Sequence, residues 1–306
     1  MSFSEDVRNE LAAIAPEREC DRRAELSALF HSAGRLHLRG ASEVSLHLDL
    51  GSSAVARRAF SLLRSFGVDS EIRTYKHRAF DRSTRYELHV AGTTPALGVL
   101  REAGVVGTGM RPLSRPPKRV VGRGCCRGAY IRGALLAAGS VSPPPSPHLE
   151  LRTATREAAD FLAAVAEREG VALSVVERAD HALAYAKGID RIADTLALAG
   201  ASDAALALDE RAVMGETKAR ANRLTNADHA NLVRTSRAAH AQLEAVRALR
   251  REGKLAVLSP RLREAAELRL RHPLLPLREL ALKTDPEASK AALHRRFQRL
   301  ISLVDP

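Results

Sequence analysis

The sequence predicts an α+β fold in which one α/β unit occurs twice, with pseudo-twofold symmetry, and is followed by an all-α region. Three observations support this prediction. A pattern of helices and strands that begins near residue 20 begins again near residue 125, and the last third of the chain carries apolar residues at helical spacing. In addition, 45% of the 306 residues are hydrophobic, which is enough for a core.

The duplication is clearest in the helix that opens each copy. Residues 24–36 (AELSALFHSAGRL) resemble residues 130–141 (YIRGALLAAGSV), with Gly34 aligned on Gly139. Both segments contain small residues near their ends, and small residues allow two helices to pack closely. The copies are predicted to cover about 20–105 and 125–201, with a basic linker at 106–124.

The remaining elements of the two copies follow in a similar order. In the first copy we predict a strand at 43–50, a helix at 54–66, strands at 71–76 and 85–90, and a helix at 95–103. In the second copy we predict a strand at 148–152, a helix at 156–169, strands at 172–176 and 182–187, and a helix at 189–198. The outline is α-β-β-α-β-β-α, or α-β-α-β-β-α if only the visible strands count. Helix-closing glycines are expected in left-handed conformation at Gly67, Gly104, Gly170 and Gly200.

The net charge is +12, which favours a polyanionic partner, most often nucleic acid. Residues 209–306 hold 20 basic and 12 acidic side chains, and residues 103–149 hold seven basic side chains and no acid. The rest of residues 1–208 holds 21 basic and 24 acidic side chains, so it is near neutral. The positive charge therefore lies in the last third and in the linker.

Composition also excludes several classes of protein. No run of apolar residues approaches the roughly 18 that a membrane span needs, and residues 1–16 lack the basic start and apolar run of a signal peptide, so we expect a soluble, intracellular protein.

The three cysteines, of which Cys125 and Cys126 are adjacent, suit neither a disulfide framework nor a zinc knuckle. We expect ordinary reduced thiols, no metal and no cofactor. Gly104, Gly107 and Gly109 do not lead into a helix, which argues against a phosphate-binding loop.

The last third predicts a helical domain, residues 206–306. Helices are expected at 206–224, from a cap at Asn226 or Asp228 to before Gly253, at 261–271 after Ser259-Pro260, at 276–282 and at 288–303. The last two are joined by a short turn through Thr284, Asp285 and Pro286. They form a candidate helix-turn-helix at about 274–306.

The final helix is the expected reader of DNA. Leu293, Phe297, Leu300 and Val304 form one apolar stripe that can pack on Leu277, Leu280 and Ala281. The other face carries polar and basic side chains: Ser289, Lys290, His294, Arg295, Arg296, Gln298 and Arg299. We expect Ser289, Lys290 and His294 to approach base edges, and the three arginines to meet phosphates. The alternative is a solvated basic face on a packing helix.

The duplicated region resembles the LAGLIDADG homing endonucleases, in which two such helices pack together and two sheets form a saddle over DNA. In that family the helix ends in a catalytic acid before a glycine, and the two acids bind divalent metal. The equivalent positions here are Ala33 and Ala138, which cannot ligate a hard cation. We therefore expect no nuclease activity.

Two longer segments resemble the WhiA family of bacterial regulators: Asn222 to Ala239 (NRLTNADHANLVRTSRAA) and Leu277 to Leu303 (LRELALKTDPEASKAALHRRFQRLISL). The order of domains is similar too. The resemblance implies a transcription regulator that binds double-stranded DNA and acts in cell division, chromosome segregation and, in actinobacteria, sporulation. One departure is the segment from Ser289 to Ala292, where many members have Ser-Lys-Ser-Gly or Ser-Lys-Asp-Ala.

Other surfaces are weaker candidates. The linker cations Arg111, Arg115, Lys118, Arg119 and Arg123 could make a secondary DNA contact, and so could the basic hairpin at 73–85. An alternative function is a protein-interaction or RNA-binding scaffold whose saddle recruits a partner, for example another regulatory protein. We expect a cytoplasmic, nucleoid-associated protein, and the oligomeric state is left open.

Overall fold

The computed structural model describes residues 2–39, 43–76 and 84–304. These residues form two compact units, Met1–Glu216 and Thr217–Pro306. The first unit holds the duplicated α/β region, and the second unit is helical, so the predicted fold class is confirmed. The domain boundary expected between residues 205 and 206 stays a prediction.

The first unit contains two copies of the same arrangement. Helix α1 (Phe3–Ala13) precedes the first copy, which consists of α2 (Glu19–Ala33), β1 (Gly34–Arg39), β2 (Glu43–Leu50), α3 (Ser53–Ser65), β3 (Glu71–Lys76), β4 (Thr84–Ala91) and α4 (Thr94–Glu102). The second copy consists of α5 (Gly124–Ala138), β5 (Gly139–Ser142), β6 (His148–Thr153), α6 (Arg156–Glu167), β7 (Ser174–Glu177), β8 (Ala182–Lys187) and α7 (Ile189–Ala199). Both sheets are antiparallel, with orders β1-β2-β4-β3 and β5-β6-β8-β7.

The longer of the two predicted outlines, α-β-β-α-β-β-α, includes strands β1 and β5, but no residues were assigned to them, because the opening helices were predicted to continue to residues 36 and 141. Each helix instead ends in a glycine with φ −80° and ψ 145°, and the strand begins there. A Cβ at Gly34 would lie 2.3 Å from the carbonyl oxygen of Phe30, and one at Gly139 would lie 2.5 Å from that of Leu135. The abrupt change from helix to strand therefore requires glycine in both copies.

Helices α2 and α5 pack side by side in the centre of the first unit. A Cβ at Gly133 would lie 2.4 Å from the carbonyl oxygen of Glu25, which shows how closely the two backbones approach. The carboxylate of Glu25 is fully buried and accepts hydrogen bonds from Arg58 at 2.7 and 3.0 Å and from Arg132 at 2.8 Å. This ion-paired group joins α2, α3 and α5, because a buried charge is tolerated only when it is paired and hydrogen-bonded.

The linker between the copies is folded onto the first unit. It contains 3-10 turns at Thr108–Met110 and Lys118–Val121, and Val105, Val106, Val120 and Val121 are buried. The linker is therefore not an extended segment, although it contains several prolines and glycines. The four helix-closing glycines have φ values from 69° to 99°, which confirms the predicted left-handed caps.

The last region begins with one long helix, α8 (Ser202–Arg251), and the two units divide within it. A 3-10 turn (Lys254–Val257), α9 (Pro260–Arg271), α10 (Leu277–Ala281) and α11 (Lys290–Ile301) follow. The prediction of two helices that meet near residue 225 is wrong, since Asn226 and Asp228 lie inside α8. Across the described residues, no helix combines the length and the apolar character that a membrane crossing requires.

Candidate nucleic-acid interface

Helices α10 and α11 form the expected pair of helices, but the turn between them comprises residues 282–289 and is longer than the predicted turn through residues 284–286. Leu293, Phe297 and Leu300 of α11 are 0% exposed and share a core with Leu280 and Ala281 of α10. Leu277 and Val304 are partly buried against that core. The predicted apolar stripe is therefore confirmed, and it fixes which face of α11 remains accessible.

The turn between α10 and α11 is held by the buried side chain of Thr284. Its hydroxyl donates a hydrogen bond to the carbonyl oxygen of Ala281 at 2.8 Å and accepts one from the amide of Ala288 at 2.7 Å. The Ser289 hydroxyl then caps α11 by accepting from the amide of Ala292 at 3.1 Å. The start of α11 is thus defined by two side chains that the sequence places in the turn.

Glu264 of α9 fixes the orientation of α11 from a third element. One carboxylate oxygen accepts a hydrogen bond from the amide of Asp285 at 2.5 Å, and the other accepts one from Nη1 of Arg296 at 3.3 Å. The two side chains of this ion pair are 27% and 17% exposed. A single carboxylate therefore holds both the turn and α11.

Arg269 of α9 packs beneath α11. Its guanidinium donates to the Gln242 carbonyl oxygen at 2.8 and 3.1 Å and to the backbone carbonyl oxygen of Leu275 at 2.8 Å. It also lies over the ring of Phe297, 5.3 Å from the ring centre. Burial lowers the pKa of Arg269 from its ordinary value, but a guanidinium keeps its charge in proteins. This side chain ties α8, α9 and the loop before α10 to α11.

The opposite face of α11 is open. Exposed side chains on it are those of Ser289, Lys290, His294, Arg295, Gln298 and Arg299. Arg296 is half-buried and is paired with Glu264, so it differs from the other two arginines that were predicted to meet phosphate. Lys290 and His294 lie one turn apart, on the same side of the helix.

Two further arginines lie beside this face. Arg234 of α8 and Arg278 of α10 line a groove of about 280 Å³ together with Lys290 and His294. Sequence reasoning missed both, because they come from separate elements and only the folded domain places them next to α11. With Arg269, which also lines it, the groove carries five side chains that can bear positive charge.

The degenerate catalytic positions lie in the first unit, where α2 and α5 end. Ala33 and Ala138 line a cavity of about 850 Å³. Carboxylates are present nearby, but each is paired with arginine: Asp49 with Arg85 at 3.1 Å and Asp180 with Arg152 at 3.0 Å. Ala33 and Ala138, which the sequence resemblance aligns with the catalytic acids, thus present only methyl groups, and a methyl group cannot bind a cation.

The linker cations lie at the surface of the first unit. Arg111, Lys118, Arg119 and Arg123 are exposed, and Arg115 pairs with Glu157 at 3.3 Å. Arg123 precedes the first residue of α5, whereas Ala138 ends this 15-residue helix, so they are about 22 Å apart along its axis. Arg123 therefore lies at the other end of α5 from the cavity, whereas residues 112–114 of the linker line a pocket together with Gly34 and Arg35, which also line the cavity. The tip of the predicted basic hairpin, residues 77–83, lies outside the described residues.

Comparison with known proteins gives consistent matches along the chain. The model of the WhiA N-terminal LAGLIDADG-like domain matches residues 19–106, that of the WhiA LAGLIDADG-like domain matches 127–218, and that of the WhiA C-terminal HTH domain matches 221–304. A protein of Heliobacterium modesticaldum named probable cell division protein WhiA is 35% identical, with 100% of this chain and 96% of that protein covered. A protein of Symbiobacterium thermophilum with the same name is 36% identical, with 100% and 98% covered.

Solved structures agree on the fold. The full-length DUF199/WhiA from Thermatoga maritima is similar with a TM-score of 0.57 and 20% identity, covering 100% of this chain and 98% of that one. The N-terminal LAGLIDADG domain of DUF199/WhiA is similar with a TM-score of 0.52 and 16% identity, covering 65% and 90%. Since relatives above 30% identity span the whole chain and three domain models match in order, the chain belongs to the WhiA family.

Proposed function

We propose that this protein is a sequence-specific DNA-binding transcription regulator whose α11 lies in the major groove. The exposed polar and basic face of α11 supports the proposal, because the helix is fixed from behind by its core, by Glu264 and by Arg269. Lys290 and His294 are assigned to base edges, and Arg295 and Arg299 to phosphates. Arg296 is assigned to positioning, since its guanidinium is already paired with Glu264.

The process in which the regulator acts is proposed from its relatives. The proteins of Heliobacterium modesticaldum and Symbiobacterium thermophilum carry the name probable cell division protein. We assign this chain to control of genes for cell division and chromosome segregation, and for sporulation if its source is an actinobacterium. A protein with this role would be associated with the nucleoid in the cytoplasm.

The salt dependence of DNA binding tests the assignment of the arginines. Arg295→Ala and Arg299→Ala are compared with the unchanged chain on a duplex obtained by selection from random sequence. Each lost phosphate contact should flatten the plot of log affinity against log salt by about 0.9. The double variant should therefore lose about 1.8 from the slope.

Arg271→Ala is the matched control, because Arg271 is an exposed arginine of α9 that pairs with Glu267 at 3.4 Å. It removes one positive charge from the same unit and should leave the slope unchanged. An unchanged slope in the Arg295/Arg299 double variant would refute the assignment. Equal flattening by Arg271→Ala would show that only overall charge matters.

We also propose that the protein does not cleave DNA. Ala33 and Ala138 provide no oxygen ligands, and the nearby Asp49 and Asp180 are paired with arginines. Incubation of the chain with supercoiled plasmid and Mg²⁺ should leave the plasmid intact. Nicked or linear product that disappears when Asp49→Asn and Asp180→Asn are introduced would contradict this proposal.

A second candidate function is a protein-interaction or RNA-binding scaffold. It is favoured by the near-neutral charge of residues 1–208 outside the basic linker. The full-length Arg295→Ala/Arg299→Ala variant separates the two functions when it is used as bait with and without nuclease treatment. A protein partner that survives nuclease treatment supports recruitment by the first unit, and a ribonuclease-sensitive partner supports RNA.

A further inference from the structure

All three cysteines of the chain lie together in the first unit, although Cys20 is 105 positions away from Cys125 along the sequence. Their sulfur atoms and a carboxylate oxygen of Asp21 lie within 4.8 Å of one another. Cys126 is buried, and the other three residues are half-buried. The expectation of ordinary reduced thiols without a metal considered only spacing along the chain, whereas the fold brings these side chains together.

The cluster follows the internal symmetry of the first unit. Gly34 corresponds to Gly139, and the same offset of 105 residues places Cys20 on Cys125 and Asp21 on Cys126. Each pair occupies the second and third positions of its helix, since α2 begins at Glu19 and α5 begins at Gly124. The two central helices therefore each supply two ligand atoms from equivalent positions.

The distances suit a tetrahedral metal ion. The sulfur atoms of Cys125 and Cys126 are 3.9 Å apart, and Cys20 Sγ is 3.5 Å from Asp21 Oδ1. When metal–sulfur bonds are about 2.3 Å long, two sulfurs of a regular tetrahedron are about 3.8 Å apart. The two measured pairs of ligand atoms therefore already have the spacing of a loaded site. The pairs that are furthest apart, which lie within 4.8 Å of each other, need to move only slightly closer together.

We infer that Cys20, Asp21, Cys125 and Cys126 form a structural zinc site between the first turns of α2 and α5. Thiolates with one carboxylate are a donor set that Zn²⁺ accepts in a closed, four-coordinate site. On binding, each of the three thiols gives its proton to solvent, so the loaded site carries two net negative charges. The proposed zinc site lies at the opposite end of α5 from Ala138, so it is distinct from the cavity that Ala33 and Ala138 line.

The surroundings can accommodate that negative charge. The amino-terminal ends of α2 and α5 both point into the cluster region, and each contributes a partial positive charge. Arg18, the residue before α2, is an exposed cation at the same end of that helix. Bound zinc would therefore link the two copies at a point where neither helix has a side-chain cap of its own.

A histidine cluster is the rival zinc site. His37, His47 and His89 lie on the first sheet, with ring centres 4.3 and 4.8 Å apart. Surface histidines bind zinc in many purified proteins, so this cluster could produce zinc binding that has nothing to do with the cysteines. His47→Asn is therefore the matched control, and an untagged chain is needed.

The test measures zinc affinity of the untagged full-length chain against a chromophoric chelator. The unchanged protein should bind one Zn²⁺ per chain, and its thiols should resist alkylation until a strong chelator is added. Cys20→Ser/Cys126→Ser should weaken binding by about 100-fold or more, and Asp21→Asn by about tenfold, whereas His47→Asn and the exposed-carboxylate control Asp194→Asn should not change it.

Replacement of zinc by Co²⁺ provides a second readout that needs no variant. Tetrahedral thiolate ligation should give a thiolate-to-cobalt charge-transfer band in the near ultraviolet, which histidine ligation lacks. Three results would each overturn the inference: absence of this band, zinc binding abolished by His47→Asn but kept by Cys20→Ser/Cys126→Ser, or thiols that react equally fast with and without zinc. The Co²⁺ spectrum decides the matter even if a cysteine variant fails to fold.

Discussion

Lys290 and His294 are the two exposed side chains at the start of α11 that lie on the same side of the helix. We expect Lys290→Ala and His294→Ala to relax DNA sequence preference, because a side chain on a base edge contributes about 1–3 kcal/mol of discrimination. The ratio of affinities for the selected and a scrambled duplex should fall about tenfold to a hundredfold. Competition binding at constant salt measures this ratio.

Lys283→Ala is the control for that experiment, since Lys283 is an exposed cation in the turn before α11. It should weaken both duplexes together and leave their ratio unchanged. If the alanine variants at 290 and 294 behaved like Lys283→Ala, the two side chains would be phosphate contacts rather than base contacts.

The sequence alone identified the exposed residues of α11 but not their individual surroundings. The helical spacing of Leu293, Phe297 and Leu300 was enough to predict which face is buried, because apolar residues at that spacing form one face of the helix and this face packs on the core. The pairing of Arg296 with Glu264 could not be predicted, since the two residues are 32 positions apart and lie on different helices. Equal spacing along a helix therefore does not make two arginines equivalent.

At the scale of elements, Glu264 determines the orientation of α11. Glu264→Ala removes the acceptor for the Asp285 amide and the partner of Arg296, so the turn should loosen and DNA affinity should fall about tenfold, equivalent to about 1.4 kcal/mol. Glu264→Gln keeps one carbonyl oxygen as an acceptor and should give an intermediate affinity. Binding titrations with the selected duplex measure the three affinities.

The order of the Glu264 variants is the informative result. Affinity that ranks Glu, then Gln, then Ala supports a positioning role for this side chain. Identical affinities for all three would show that α11 keeps its orientation without Glu264. Circular dichroism at the temperature of the titration establishes that each variant is folded.

Helices and strands were easier to predict where buried apolar residues recur at a regular spacing than where a single residue ends that spacing. The amphipathic helices and the strands β2 and β4 were predicted, because their apolar residues recur about every 3.6 residues in a helix and at every second residue in a strand. Strands β1 and β5 belong to the longer predicted outline but were not located in the sequence, because each begins directly at a helix-ending glycine and the small residues before it favoured a longer helix. In α8, Leu224 and Leu232 are 65% and 68% exposed, so apolar residues there did not mark a buried face.

At the scale of the whole chain, the buried carboxylate of Glu25 joins the two copies. Glu25→Gln would leave Arg58 and Arg132 buried without their anion, and loss of one partner from such a network costs about 3–5 kcal/mol. We expect a large fall in the thermal unfolding temperature of the first unit. Glu19→Gln, at the exposed pair with Arg23, should change stability by less than about 0.5 kcal/mol.

Proteolysis during the melt assigns the Glu25→Gln effect to a unit. Peptides from residues 1–216 should become sensitive at lower temperature than in the unchanged chain, while peptides from 217–306 should keep their resistance. Equal resistance of the first unit in both proteins would show that the buried ion pairs are replaceable by neutral hydrogen bonds.

The internal duplication could be predicted from sequence, but its consequences for the cysteines could not. The alignment of Gly34 on Gly139 already implies that Cys20 falls on Cys125, and this correspondence was the available signal. This correspondence shows that Cys20 and Cys125 occupy equivalent positions in the two copies, but it does not show that their side chains lie close together. Contact follows from the close packing of α2 and α5, which depends on Gly133 against the backbone of Glu25 and is visible only in three dimensions.

Photocrosslinking tests the central proposal most directly, because it reports where DNA touches the full-length protein. A selected duplex that carries bromodeoxyuridine at the positions of its thymines is irradiated with the chain, and crosslinked peptides are identified by mass spectrometry. We expect crosslinks within residues 290–299, on the exposed face of α11, and their loss in the Lys290→Ala/His294→Ala variant. Crosslinks confined to residues 1–216, with α11 unmodified, would contradict the central proposal.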